Sequence, residues 1–191
     1  IQTPVFMNVG TSAAIKGGIS TGDLKHIGCQ VELSNTYHLH VRPGDEGVKK
    51  MGGLHKFMSW DRPILTDSGG FQLYSLIREN PEYGEIRDKE IIFRPDRGKE
   101  KLTFTPEKCI QVQFQYGSDI MMTLDLCTHP EDPEDVQRRS VELTVKWAER
   151  CRAEFDKLAK KLDKKPKLFG IVQGGSDPAL RMECGQRLEE I

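Results

Sequence analysis

Apolar residues along this chain fall in short runs, and each run closes on a polar or glycine-rich stretch. Residues 3–11 (Thr3-Pro4-Val5-Phe6-Met7-Asn8-Val9-Gly10-Thr11) read as a buried strand ended by a turn. Residues 20–28 read as a short helix, with Ser20 or Thr21 as cap, Asp23 in the first turn and Gly28 as the stop. A second strand over 29–33 delivers Ser34-Asn35-Thr36-Tyr37-His38-Leu39. Arg42-Pro43-Gly44 and Gly52-Gly53 break the chain, and 54–60 reads as an amphipathic surface segment whose aromatics pack under a loop. A third strand, Pro63-Ile64-Leu65, runs into Thr66-Asp67-Ser68-Gly69-Gly70-Phe71-Gln72. The charged stretch 78–101 reads as a protruding hairpin or loop, with Glu90-Ile91-Ile92-Phe93 as an edge strand.

Thr105 as cap, Pro106 at the first helical position and Gly117 as stop predict a helix that turns Ile110, Val112 and Phe114 inward. A strand over 120–124 delivers Asp125 and Cys127. A long amphipathic helix follows over 136–162, its Arg138, Arg139, Lys146, Arg150 and Arg152 read as a solvated face. Five lysines between 160 and 167 suit a helix C-terminus and could also meet phosphates. A further buried strand over 168–172 ends in Gln173-Gly174-Gly175, and a last helix runs from 177 to 191. Strand, polar lip and helix alternate, which predicts an α/β fold with a parallel sheet and crossover helices. Lips that converge at one end favour a TIM-barrel, (β/α)8-type site. Four or five such units fall short of a closed barrel, which takes about 250 residues.

Composition narrows the class. With 191 residues, 37% of them hydrophobic, the chain can bury one core, so one domain or part of one is expected. The 28 basic and 29 acidic side chains nearly cancel, so any nucleic-acid contact must be a local patch. No apolar run is long enough for a membrane span, and neither a basic leader nor an initial Met is present; the start reads like the middle of a protein. Five scattered cysteines without a CxxC pair predict reduced thiols and a cytoplasmic setting.

Three lips carry matching chemistry: Asp67 with Ser68, Asp125, and Gln173 with its two glycines. A carboxylate accepts from the paired N–H groups of a guanine-type edge, an amide N–H donates to the carbonyl oxygen, and a ring such as Phe71 stacks on the base, worth about 1–3 kcal/mol. A second carboxylate is then free for proton transfer or for the ribose, and the base must leave its stack to enter. The plainer alternatives are that Asp67 and Ser68 cap the next helix and that Gln173 bonds backbone in a tight turn.

The same residues resemble a known family. Thr66-Asp67-Ser68-Gly69-Gly70-Phe71-Gln72 is similar to the signature of the tRNA-guanine transglycosylases, the queuine tRNA-ribosyltransferases. Leu33-Ser34-Asn35-Thr36-Tyr37-His38-Leu39 with Arg42-Pro43-Gly44, Gly117-Ser118-Asp119-Ile120 and Phe169-Gly170-Ile171-Val172-Gln173-Gly174-Gly175 extend the resemblance over nearly the whole chain. It implies a barrel enzyme that replaces guanine at the tRNA wobble position with a 7-deazaguanine (preQ1 or queuine) through a covalent ribosyl-enzyme intermediate. Asp67 then resembles the general acid/base. Ser68, Gly69, Gly70 and Phe71 resemble the base-pocket wall, Asp125 the reader of the guanine N–H edge and Gln173 the ligand of its carbonyl oxygen. Asn35 and Gln72 would hold Asp67. The resemblance also implies a homodimer or heterodimer, a structural zinc ion and an aspartate nucleophile. Neither the nucleophile nor the zinc ligands match any residue here, so residues 1–191 would be a partial catalytic barrel, without its later strands and zinc subdomain. The alternatives are a non-catalytic partner subunit, an inactive fragment, or a related enzyme acting on DNA.

Overall fold

The computed structural model describes residues 1–15, 17–95 and 101–191. In chain order, β1 (Asn8–Gly10) leads to α1 (Thr21–His26), and β2 (Glu32–Ser34) leads to α2 (Thr36–Val41), α3 (Asp45–Lys50) and α4 (Leu54–Met58). After β3 (Ile64–Thr66) come α5 (Gly70–Glu79), an insertion of β4 (Gly84–Ile86), β5 (Ile91–Phe93) and β6 (Leu102–Phe104), and α6 (Pro106–Tyr116). Then β7 (Ile120–Met122) leads to α7 (Glu134–Ala159), and β8 (Lys167–Phe169) to α8 (Pro178–Glu189).

The main sheet has the order β1-β2-β3-β7-β8, with every pairing parallel. Val9 lies opposite Leu33, Leu33 opposite Leu65, and Met121 opposite Leu168. Doubly wound sheets reverse their strand order at a switch point; this one advances in a single direction, as a barrel wall does. It is a partial TIM-barrel-type α/β fold, as the alternation of elements implies.

Local chemistry sets the helix starts. Ser20 and Asp23 form a reciprocal capping box at α1. Thr105 accepts from the Lys108 N–H at α6, and Asp177 accepts from the Ala179 and Leu180 N–H groups at α8. Among the described residues, no helix is long and apolar enough to cross a membrane. All five cysteines are free thiols.

Three expectations are corrected. Residues 54–60 are surface on one side only: Lys56 and Ser59 are exposed, while Leu54, Met58 and Trp60 are buried in a core with Leu39, Val48 and Ile64. The segment reads as amphipathic because its polar side chains alternate with residues that each need an apolar partner. Second, β5 is no edge strand; it is the centre of an antiparallel β4-β5-β6 sheet, with Ile91 and Phe93 buried. Trp147 Nε1 donates to the Asp88 carbonyl at 2.9 Å and Arg150 to the Lys89 carbonyl at 2.7 Å, which docks this insertion on α7. Arg150 also pairs with Glu107 through two bonds of 2.7 Å, so it is not simply solvated. The charged residues 96–99 lie outside the described residues. Third, β8 is not a buried strand. It is the sheet edge, so its outer side gains no cover from a neighbouring strand among the described residues, and Phe169 is half exposed.

Candidate active site

Parallel strands bring their C-terminal ends to one side, and there the lip residues meet. Thr66 closes β3 and is pinned below by Gln113 at 2.9 Å and Ser118 at 2.7 Å. Asp67 follows. The Asn35 amide donates to its Oδ2, and the Thr36 and Gly69 N–H groups donate to Oδ1 at 2.7 and 3.2 Å. The Thr36 hydroxyl donates to the Asp67 carbonyl at 2.6 Å. The end of β2 and the turn after β3 therefore grip one carboxylate from both sides. Burial pushes the Asp67 pKa up, while the Asn35, Thr36 and Gly69 bonds and the nearby His38 pull it back.

The next three residues carry the grip across to a second carboxylate. Gly69 has φ +76°, and a Cβ there would lie 3.2 Å from the Tyr37 nitrogen. A Cβ on Gly70 would lie 2.9 Å from the Asp125 carbonyl oxygen, so α5 starts hard against Asp125. The Ser68 hydroxyl accepts from the Gly70 N–H at 3.1 Å and donates to Asp125 Oδ1 at 3.0 Å. Gln173 Nε2 donates to Asp125 Oδ2 at 2.7 Å, and the Cys127 thiol reaches the same oxygen at 3.3 Å. Asp125 is 3% exposed. Burial raises its pKa against the pull of Cys127, Gln173 and Ser68.

The capping alternative thus holds in part: Asp67 and Ser68 both accept N–H groups at the start of α5. Ser68 also donates to Asp125, which Gln173 holds from the other side, and as the chain neighbour of Asp67 it sets the two carboxylate clusters side by side, which capping alone does not require. Gln173 uses its side chain on Asp125, not on a backbone turn. Phe71, on the first turn of α5, is 60% exposed, so its ring is open to stacking. Gln72 is a correction: Asn35 holds Asp67, but the Gln72 side chain does not, and its Oε1 is buried without a hydrogen bond.

Two contributors are new to the structure. Thr36 stands beside Asn35 in the polar run after β2, a position that already signalled a lip. Cys127 follows Asp125 by two residues, and nothing in its spacing sets it apart. Burial and the Asp125 charge push its thiol pKa up, so it stays a neutral donor.

An ionised carboxylate offers about four acceptor positions, and Ser68, Gln173 and Cys127 use three. A ligand with two adjacent N–H groups therefore takes the free position and displaces the weak thiol contact. The Gln173 amide spends its second N–H on the Cys127 sulfur at 3.6 Å, a weak contact that a carbonyl acceptor on the same ligand displaces. No group of three or more His, Cys, Asp or Glu side chains among the described residues is arranged to hold a metal ion, so the zinc that the resemblance implies finds no ligand set here.

Comparison with known proteins places the chain. A family model described as queuine tRNA-ribosyltransferase matches residues 1–191. The queuine tRNA-ribosyltransferase of Clostridium botulinum strain Hall is 52% identical over 194 residues, covering 100% of this chain and 50% of its own length. That of Clostridium perfringens strain SM101 is 50% identical over the same coverage. The chain spans about half the length of the curated relatives it matches.

Proposed function

The chain belongs to the queuine tRNA-ribosyltransferase family, and we propose that it supplies the base-reading and acid–base part of a site that exchanges guanine in a tRNA anticodon for a 7-deazaguanine. The observation that carries this reading is a pair of adjacent clusters at one lip: Asp67 held by Asn35, Thr36 and Gly69, and Asp125 held by Ser68 and Gln173, with Asp67 and Ser68 consecutive in the chain. Asp125 reads the N–H edge of the base, Gln173 donates to its carbonyl oxygen and Phe71 covers its face. A non-catalytic partner chain would have no physical need of all three polar side chains held in place at one lip.

Exchange needs two proton transfers of opposite sense. Guanine leaves with the electron pair of its C1′–N9 bond and takes up a proton. The incoming base gives up a proton before its own N9 attacks C1′. One carboxyl group cycling between two protonation states serves both steps, and Asp67, raised in pKa by burial yet held by three donors, suits that cycle. The covalent ribosyl-enzyme intermediate that the resemblance implies takes its aspartate nucleophile from a later strand, outside residues 1–191. On this reading residues 1–191 are part of a catalytic barrel. The RNA is a tRNA with guanine at the wobble position, the incoming base is preQ1 or queuine, and the setting is cytoplasmic. The assembly is a dimer, with zinc held outside the described residues.

The test is incorporation of radiolabelled guanine into a tRNA with a GUN anticodon by the full-length protein. Exchange is expected in the wild type, and a loss of about 100-fold or more in Asp67→Asn, the usual scale for removing a general acid–base group. An Asp67→Asn protein that turns over at the wild-type rate would refute the acid–base role.

A further inference from the structure

Behind Asp67 lies a second buried array that the exchange chemistry does not itself require. Asp45 opens α3 and is 8% exposed, and its carboxylate serves three side-chain donors. His40 Nδ1 lies 2.8 Å from it, Lys108 Nζ 3.0 Å and the Tyr116 hydroxyl 2.8 Å. A buried carboxylate is costly unless it is paired in this way. Burial raises the Asp45 pKa, and the His40, Lys108 and Tyr116 contacts outweigh it, leaving the group below its ordinary range and ionised.

Tyr116 ends α6 and is fully buried. Burial and the Asp45 charge push its phenol pKa up, so it stays a neutral donor. It has one proton, and the charged acceptor at 2.8 Å binds it most strongly. The same hydroxyl also faces the Thr36 carbonyl oxygen at 3.5 Å, the longer and weaker arm of a hydrogen bond shared with Asp45. Thr36 is the residue that touches Asp67 twice, through its N–H at 2.7 Å and its hydroxyl at 2.6 Å. Contacts thus run without a gap from the layer between α3 and α6 to the site carboxylate.

We propose that Tyr116, anchored by Asp45, is a positioning residue that holds Thr36 against Asp67. Its consequence for turnover rests on the reading of Asp67 as the acid–base group; its consequence for Asp67 itself does not. Without the phenol oxygen Thr36 gains freedom and its N–H draws back. The ionised form of Asp67 then loses a donor, and the carboxyl group takes up its proton at higher pH. The titratable group facing Asp67 is His38 of α2, while Asp45, Asp67 and the Cys109 thiol face Tyr116. None of these is removed by Tyr116→Phe.

The experiment follows the Asp67 carboxyl in the full-length protein by carbon-13 NMR titration, with the signal assigned by its loss in Asp67→Asn. In Tyr116→Phe the titration midpoint is expected to rise by about half a unit to one unit, the scale of one weakened hydrogen bond to a carboxylate. The pH dependence of kcat for guanine exchange moves with it, and KM for tRNA stays within about twofold. Asp45→Asn keeps an acceptor for the phenol and leaves the midpoint in place, whereas Asp45→Ala moves it as Tyr116→Phe does. A midpoint unmoved in both Tyr116→Phe and Asp45→Ala overturns the proposal even where melting temperatures fall. If Tyr116→Phe does not fold, the contrast between the two Asp45 variants decides. Exchange retained in Asp67→Asn would sink the acid–base reading and leave the titration result to stand on its own.

Discussion

Asp125 shows how a side chain legible as a candidate acquires its chemistry only from neighbours. Its place after a run of apolar residues marks it as a lip residue. That Ser68 and Gln173 would each take one of its oxygens is a three-dimensional fact with no sequence spacing behind it. The same holds for Cys127, whose contact depends on the backbone path after β7, and for Gln72, whose amide closes the signature yet makes no hydrogen bond to Asp67 and leaves its Oε1 buried and unpartnered. On the proposed reading, Asp125 reads the base edge only while ionised. Asp125→Asn turns one acceptor into a donor facing N–H groups, and guanine affinity is expected to drop tenfold or more, on the order of 1.5–3 kcal/mol for a buried unmatched polar contact. Burial raises the wild-type pKa. Protonation removes the acceptor, so wild-type affinity is expected to fall on acidification from a pH above the ordinary carboxylate range. Calorimetric titration of guanine across pH measures both effects; equal affinities for wild type and Asp125→Asn would refute the reading.

At the scale of elements, the parallel strands and the starts of α1, α6 and α8 were legible because their signals are local: a capping Ser, Thr or Asp, a Pro in the first turn, a short apolar run; the short helices α2, α3 and α4 were not, since none starts on a side-chain cap. Burial was less so. Trp60 and β5 turned out to be core because other elements cover them, and β8 turned out to be an edge for want of cover. The sharpest case is Glu32, at the start of β2. A charge inside an apolar run suggests an outward position, yet Glu32 is 1% exposed and its Oε2 has no hydrogen-bond partner. Burial pushes its pKa up to about 7. The folded state therefore binds a proton that the unfolded chain has already released between the ordinary glutamate value and about 7, so stability falls as pH rises through that window. Glu32→Gln removes this slope. Urea denaturation is expected to find it more stable than wild type by about 3 kcal/mol at pH 8, with the difference vanishing below pH about 4.5. A difference independent of pH would mean that the carboxylate is paired in solution.

At the scale of the whole molecule, a parallel sheet gives its two ends different work. Asp67, Asp125 and Gln173 follow strand C-termini, while Asp119 precedes β7 and Lys167 begins β8 at the other end. There a cleft of about 440 Å³ is lined by Pro63, Phe114, Asp119, Lys164, Lys165 and Lys167. From composition this lysine cluster was as open to phosphate binding as to solvent. Its position argues for solvent and local pairing: Lys164 lies 3.6 Å from Asp119, whose carboxylate also takes His55 Nε2 at 2.9 Å and the Ile64 N–H at 3.0 Å. A tRNA whose anticodon base enters between the strand C-termini meets the protein at that end. Each lysine that neutralises a phosphate contributes about one unit to the slope of log affinity against log salt. The double substitution Lys164→Gln, Lys165→Gln is therefore expected to leave both tRNA affinity and that slope unchanged in filter binding across a salt series. A slope reduced by about two would put RNA on the N-terminal end of the sheet, and the tRNA would then have to wrap past the helix layer to deliver its base to Asp125.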